Sequence, residues 1–493
     1  MKDIKYQLFI DGQWTDPSGG EWFDTEEPYT GRRWAQIPRC TEHDVDRAVG
    51  AAHRAFTEGE WPAMSATQRG HVLRRLGDLL REHGEALARV EARDNGKRIS
   101  EAVPQFRYLP EWLYYYGGLA DKIEGAVIPN DVPEIFNYTR YEPLGVVAAI
   151  TPWNSPVMLL LWKLAPALAA GNTLVVKPSE HASASTLEFM QLVEAAGVPP
   201  GVVNVVTGLA AEAGAPLVVH PHVAKVTFTG SEPGGRAVNR AAAGELKRVT
   251  LELGGKSPQL VFADADLDNA VNGVISGIFL SNGQTCVAGS RLLLHEAVHD
   301  AFLEKLGAAL AGLKMGDPGD AATQLGPIAN RPQFEKIIAY LDIAREEGAQ
   351  ALIGGARSMR PGTADGYFVE PTIFSGVTPA MRIAREEIFG PVLAALRFAT
   401  DEEAVALAND SPYGLAAGVW TQNLRRAHRV AQRLQAGTVY VNTYRAVSVT
   451  SPAGGYKCSG IGRENGAEMI KDYLQTKSVW VSTAEKIPNP LAV

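Results

Sequence analysis

The 493-residue chain reads as an α/β protein with two doubly wound parallel-sheet domains. Three observations carry that reading. From about residue 144 short apolar runs alternate with helix-length segments, the pattern of βαβ units. The alternation returns in the second half of the chain without any repetition of sequence. The polar motifs fall just behind the apolar runs, at the carboxyl ends of the expected strands, where open parallel sheets bind ligands.

Size and composition narrow the possibilities. A chain of this length is too long for one core, and about three domains are expected. Apolar residues make up 46% and charged residues 21%, as in ordinary globular proteins. A net charge of −8 argues against a nucleic-acid binder, which needs a basic face. The one basic run, Leu424 to Arg433, reads as the solvated face of a helix. Cys40, Cys286 and Cys458 give no disulfide framework and suit a reducing, cytoplasmic setting. No CxxC or Cys/His cluster points to a metal, so none is expected. Leu8-Phe9-Ile10 is too short for a signal-peptide core. Gly145 to Gly171 is apolar and long enough to span a bilayer, but it holds Asn154, Lys163, Pro152, Pro156 and Pro166. It reads instead as strand, loop and buried helix, with no membrane contact.

In chain order, Gln7 to Trp14 is a hairpin turning at Asp11-Gly12. Thr41-Glu-His-Asp44 opens a helix as a capping-type box, with Val45, Ala48 and Ala52 on one face. Ser65-Ala-Thr-Gln68 opens a longer one, in which Val72, Leu73, Leu76, Leu79 and Leu80 keep helical spacing. Asp94-Asn-Gly96 closes that region as a turn. Strands are expected at 146–150, 173–176, 202–206, 223–228 and 249–253, with a helix over 182–196 among them. In the second half they are expected at 292–295, 392–396, 416–420 and 438–442. Segments 123–143 and 471–493 fit neither sheet.

The dinucleotide signature G-x-G-x-x-G is missing after the first strand. The nearest glycines, Gly208 to Gly214 and Gly230 to Gly235, have other spacings. Ser231 is a natural N-cap, and the helix behind it could hold a pyrophosphate through free N–H groups or be merely capped. Lys177 and Glu180 at the next strand end suit two vicinal hydroxyls, or form an exposed pair worth little.

Cys286 sits in Phe279-Leu-Ser-Asn-Gly-Gln-Thr-Cys-Val-Ala-Gly-Ser-Arg291, among small and polar residues. Alone it reads as an inert buried thiol. In company with Thr151-Pro-Trp-Asn154, Leu251-Glu-Leu-Gly-Gly255 and Glu387-Ile-Phe-Gly-Pro391, in this order, it resembles the aldehyde dehydrogenase superfamily, in particular its NAD-dependent, non-acylating branch and bacterial betaine-aldehyde and semialdehyde members. The resemblance runs from about Phe9 to about Lys477.

The resemblance implies a Rossmann-like NAD-binding domain over 1–122 and 144–254 and a catalytic domain over 255–458. The leftover segments 123–143 and 471–493 become a small β oligomerisation arm that builds a homodimer or homotetramer. Cys286 becomes the nucleophile, Asn154 with the Cys286 N–H the oxyanion donors, and Glu252 the base that activates hydrolytic water. Lys163 and Glu464 match residues near the water path, and equally a structural ion pair. Trp153, Lys177, Glu180, Gly208, Gly230, Ser231, Glu387 and Phe389 fall to the cofactor. Lys177 and Glu180 hold the adenosine ribose, Glu387 holds the nicotinamide ribose, and Phe389 lies on the nicotinamide ring. Glu180 would repel a 2′-phosphate, so NAD is expected over NADP.

The departures concern the substrate. Members acting on small aldehydes often carry aromatics where this chain has Ser155 and Ala453. With Trp162, Leu159, Thr285 and Val287 as the remaining walls, the tunnel should be wide, suiting a bulky, polar or cyclic aldehyde or semialdehyde unless neighbouring side chains refill the space. The competing readings are a CoA-acylating relative, which generally lacks the Glu252 carboxylate, and a non-catalytic binding protein that kept the fold.

Overall fold

The computed structural model describes residues 4–487 and 489–491. Met1 to Asp3 of the expected cofactor domain and Pro488, Ala492 and Val493 of the expected arm lie outside the described residues.

The first large sheet has eight strands. Five are parallel, in the spatial order Arg248–Glu252, Val223–Thr229, Val146–Ile150, Thr173–Lys177, Val203–Val205. The strand earliest in sequence lies at the centre and the chain winds away from it on both sides. That is the doubly wound arrangement, with its switch point between Val146–Ile150 and Val223–Thr229. The N-terminal hairpin Leu8–Ile10 and Gln13–Thr15 continues one edge, antiparallel, with Val205 opposite Phe9. Its turn uses Asp11 at φ +55° and Gly12 at φ +71°, the left-handed pair that a two-residue hairpin needs. The other edge is a short return strand, Gly460–Ile461, paired antiparallel with Leu251 and Glu252. It belongs to a segment that the expected division of the chain left unassigned.

The second sheet has seven strands in the order Gln350–Ile353, Thr372–Ser375, Val392–Phe398, Arg291–His295, Pro258–Val261, Ala416–Trp420, Thr438–Val441. All neighbours are parallel except the first pair. Pro258–Val261 and Thr372–Ser375, each four residues long, were not anticipated. Pro258 opens its strand, where a missing N–H costs no ladder bond, and each run is too short to signal itself. A third sheet pairs Leu474–Ser482 with Ile135–Pro143 over nine residues, with Val127–Ile128 outside. The two segments that fit neither large sheet thus meet each other. An unanticipated three-stranded sheet joins Ile4–Lys5, Arg32–Pro38 and Trp22–Glu27.

The helices follow from their sequences. Ala66–Asn95 starts at a reciprocal capping box: Gln68 N–H donates to Ser65 Oγ at 3.3 Å and Ser65 N–H to the Gln68 side-chain Oε1 at 2.8 Å. It stops at Gly96, φ +74°, a left-handed C-cap. Leu73, Leu76 and Leu80 are fully buried along it, while Val72 and Leu79 flank that stripe. Pro156–Ala170 is apolar on every face and almost wholly buried, as such a helix must be. Its one ionisable residue, Lys163, is fully buried. The basic segment is the helix Leu424–Arg433, with only Ala427 and Val430 buried. Among the described residues no helix is long and apolar enough to cross a membrane.

Candidate active site

Residues from both halves converge where the carboxyl ends of the first sheet face the cysteine loop. Within 282–294 every residue is buried except Thr285, Cys286 and Val287, which are half-buried. The loop is therefore open only at Thr285 to Val287. The chain reaches it through three consecutive left-handed residues, Ser281 (φ +52°), Asn282 (φ +54°) and Gly283 (φ +68°). Such strain needs fixed partners. Glu101 accepts from Ser281 N–H at 3.1 Å and from its hydroxyl at 2.7 Å. The Asn282 amide donates to Pro327 O at 2.6 Å.

Asn154 follows the central strand Val146–Ile150. Its Nδ2 donates to the backbone oxygen of Gln284, two residues before Cys286, at 3.0 Å. One amide N–H is used there, which fixes the side chain and leaves the other free. Asn95 donates to the backbone oxygens of Trp153 and Asn154 at 3.2 and 3.3 Å, so the residue before the helix-ending glycine holds this loop.

Glu252 ends its strand 7% exposed, and its Oε1 has no hydrogen-bond partner among the described residues. Burial, and next the neighbouring Glu464, push its carboxyl well above the usual range, against Lys163 and Arg463. A methyl at Gly454 would come 2.7 Å from that carboxylate, so the Pro452 to Gly455 turn can close over Glu252 only without a side chain.

Gly254 and Gly255 serve a second close approach. A side chain on Gly254 would overlap the Glu387 carboxylate, and one on Gly255 would sit 2.8 Å from Cys286 O. Gly255 N–H donates to Glu387 at 3.0 Å. Phe389 is left-handed at φ +61°. Gln333, unremarked in the sequence, holds this loop by donating to Ile388 O at 2.8 Å and Phe389 O at 3.0 Å. The Phe389 ring meets Trp153 edge-to-face, centroids 5.2 Å apart.

The electrostatics of Cys286 correct one premise. A reactive cysteine is expected to have a lowered pKa. Here burial, then Glu252, then Glu387 push the thiol up to about 12, against N–H groups of Val287 and Cys286. In this form the sulfur carries its proton at neutral pH.

Lys163 and Glu464 form a buried ion pair. Lys163 also donates to the Thr229 hydroxyl at 2.6 Å, and Thr227 donates to Glu464 at 3.2 Å. Ala453 clamps Glu464 by two backbone bonds of 2.7 Å. Ser155 is buried and takes a 2.7 Å bond from Lys97, which also donates to Glu91 and Gln105 at 3.2 and 2.9 Å. Lys97 thus holds the Ser155 hydroxyl in place. Leu159 is buried, and half-buried Trp162 stacks on Trp112 with centroids 6.1 Å apart.

The cofactor candidates also line the carboxyl ends. Lys177 ends its strand and donates to Glu180 at 3.1 Å. Burial raises Glu180, but Lys177, its own backbone N–H and His181 together outweigh it and hold the carboxyl below its usual range. Ser231 caps the Glu232–Gly244 helix by accepting from Gly234 N–H at 3.3 Å, with Gly230 just before it. Gly208, φ +140°, packs on Ala213 and the Cys40 backbone, a turn after its strand. An ionised carboxylate beside a lysine, a capped helix start and the Glu387 loop form a donor set that fits a dinucleotide with two ribose diols.

Two doubly wound sheets meeting at a cysteine loop are also the architecture of solved aldehyde dehydrogenases. The betaine aldehyde dehydrogenase of Staphylococcus aureus, solved in complex with NAD+, superposes with a TM-score of 0.98 at 39% identity, covering 100% of this chain and 98% of that one. The NAD+ complex of an aldehyde dehydrogenase from Bacillus cereus gives 0.95 at 43% identity, covering 97% of each chain. The (Z)-2-((N-methylformamido)methylene)-5-hydroxybutyrolactone dehydrogenase of Acinetobacter baylyi is 46% identical over 484 residues, 98% of both chains. Residues 14–479 match the aldehyde dehydrogenase family. The chain belongs to that family and is an oxidoreductase of its kind.

Proposed function

We propose that the protein oxidises an aldehyde to a carboxylic acid with NAD, by way of a thioester on Cys286, and that its substrate is bulkier than acetaldehyde. One observation supports the reading: Gly255, three residues after Glu252, donates its N–H to Glu387 at 3.0 Å and packs so closely on Cys286 that a side chain there would sit 2.8 Å from Cys286 O. That packing supports a shared cleft for the assigned nucleophile, base and cofactor-side loop.

The thiol must lose its proton before it attacks. Glu252 is the acceptor assigned here, and its raised carboxyl makes it a stronger base than an exposed glutamate. Attack on the carbonyl carbon leaves an oxyanion, for which the free Asn154 N–H and the Cys286 backbone N–H are preset donors. When bound, NAD supplies the hydride acceptor that turns the thiohemiacetal into a thioester. Glu252 then removes a proton from the water that releases the acid. Lys163 and Glu464 stand behind it as a buried path for that proton. Release to water fits the carboxylate at position 252 better than release to a thiol.

Lys177 and Glu180 would hold the adenosine ribose, and Glu387 the other ribose, with Phe389 and Trp153 beside the nicotinamide. The charge on Glu180 opposes a 2′-phosphate by on the order of a few kcal/mol in a partly dry site, so NAD is preferred over NADP. The substrate reading rests on Ala453 and on the relative named for a hydroxybutyrolactone, a ring-closed form of an oxo acid. The exposed Val127, Phe136, Trp480 and Val481 of the three-stranded sheet support a homodimer or homotetramer joined through it.

An assay of acetaldehyde, branched and cyclic aldehydes with NAD and with NADP tests these points. NADH formation that Cys286→Ala abolishes is the expected result. Preference for acetaldehyde overturns the large-substrate reading, and equal use of NADP overturns the role of Glu180.

A further inference from the structure

Beside the cysteine loop stands an arginine that nothing so far uses. Arg445 follows the last strand of the second sheet and is left-handed, φ +61°. Its neighbour Tyr444 is buried and donates to Val287 O at 2.9 Å, so this loop is tied to the residue after the nucleophile. The Arg445 guanidinium donates to Ser276 O and to Ser281 Oγ, both at 3.3 Å. These are long single bonds from a group with five N–H donors.

No carboxylate among the described residues pairs with Arg445 within 4.0 Å. Glu101 is the nearest in effect, but it already accepts twice from Ser281 and binds Arg98 Nε at 2.7 Å. Lys97 is matched by Glu91. Three cations here share two carboxylates, and the excess positive charge falls on Arg445. Burial lowers the guanidinium's pKa, opposed first by Glu101 and next by Cys286. Through Tyr444 to Val287 O and Arg445 to Ser281 Oγ, this loop is tied to the cysteine loop on both sides of Cys286.

We propose that Arg445 determines specificity by receiving the carboxylate of an ω-oxo acid whose aldehyde end reaches Cys286. An arginine with free, parallel N–H donors suits a carboxylate as a two-bond partner. The inference rests on the proposed function and deepens it, from a large aldehyde to an anionic one.

Succinate semialdehyde and its methyl ester have the same reach and differ in charge. The wild-type enzyme should favour the semialdehyde by about tenfold or more in kcat/KM, the scale of one charge-assisted contact. Arg445→Gln should erase that preference mainly through KM while leaving the ester within about threefold, and Arg445→Lys should keep part of it. Succinate should compete with substrate in the wild-type enzyme better than succinamide, which needs no variant. An equal loss for both aldehydes would mean that Arg445 only holds the Ser276 and Ser281 backbone, and would overturn the proposal. So would an unchanged ratio in Arg445→Gln, or equal inhibition by succinate and succinamide. Acetaldehyde belongs in the same panel: if it outruns the ester, the large-substrate reading fails while the ratio of anion to ester still reports on Arg445.

Discussion

The amide of Asn154 hangs from the backbone oxygen of Gln284 at 3.0 Å, a bond across 130 residues of sequence. It fixes the angle at which a side chain from the first sheet faces the cysteine loop of the second. Asn154→Ala removes both that tether and the free N–H. Turnover should fall by about a hundred- to a thousandfold, the usual loss for one oxyanion donor. NAD binding, followed by quenching of protein fluorescence, should change little. A matching loss of NAD affinity would mean that Asn154 serves the cofactor loop instead.

Glu252 is assigned two effects of opposite sign, and they separate in one variant. Glu252→Gln should leave a burst of NADH and slow the steady rate, because hydrolysis loses its base. In the cofactor-free enzyme the same change removes the largest carboxylate contribution to the raised Cys286 thiol. Alkylation by iodoacetamide should then show its rise at lower pH than in the wild type. A rise at higher pH would mean that Glu252 chiefly activates the thiol at rest.

Lys163 is the only ionisable group in a helix otherwise apolar, and its partner Glu464 is 2% exposed. Lys163→Met strands a buried carboxylate and should cost about 3–5 kcal/mol in urea unfolding. Replacing both, Lys163→Met with Glu464→Leu, should return most of that stability. If the double variant also regains turnover, the pair is structural. Restored stability with slow hydrolysis assigns it to the proton path.

Much of this was legible because residue type and spacing forced it. The strands expected at 146–150, 173–176 and 223–228 came from short, mostly apolar runs, and the box at Ser65 and Gln68 from its spacing. Pro258–Val261 and Thr372–Ser375 were hidden because four residues carry no usable period. The catalytic motifs could be matched, but their supports could not. Asn95, Gln333 and Tyr444 act through bonds to backbone oxygens, which leave no pattern in a sequence. The Lys97 bond to Ser155 was hidden for a similar reason, since the two residues lie 58 positions apart. The raised thiol of Cys286 follows from burial first and then from two carboxylates brought in by folding, so no local reading of its glycine-rich loop could find it.

Lys256 makes the pH dependence of stability testable. It follows Gly254-Gly255, is 1% exposed, and its Nζ has no hydrogen-bond partner among the described residues. Burial, with Arg291 next, lowers its pKa to about 7 from an ordinary 10.5. Above pH 10.5 the lysine is neutral both folded and unfolded and costs nothing by this route. Below pH 7 it is charged in both, and folding must bury the charge at a cost on the order of a few kcal/mol. Between those limits the unfolded chain binds the extra proton, so stability from this group rises with pH. Lys225, lowered to about 8 chiefly by its burial, acts in the same direction over a narrower window. Lys256→Met removes the first effect and leaves the second. In urea unfolding at pH 7, 8 and 9, the variant should gain most over the wild type at pH 7, and the gap should shrink as pH rises. A gap that stays constant would mean that Lys256 is neutral throughout, or charged with a partner, and that its burial carries no proton linkage.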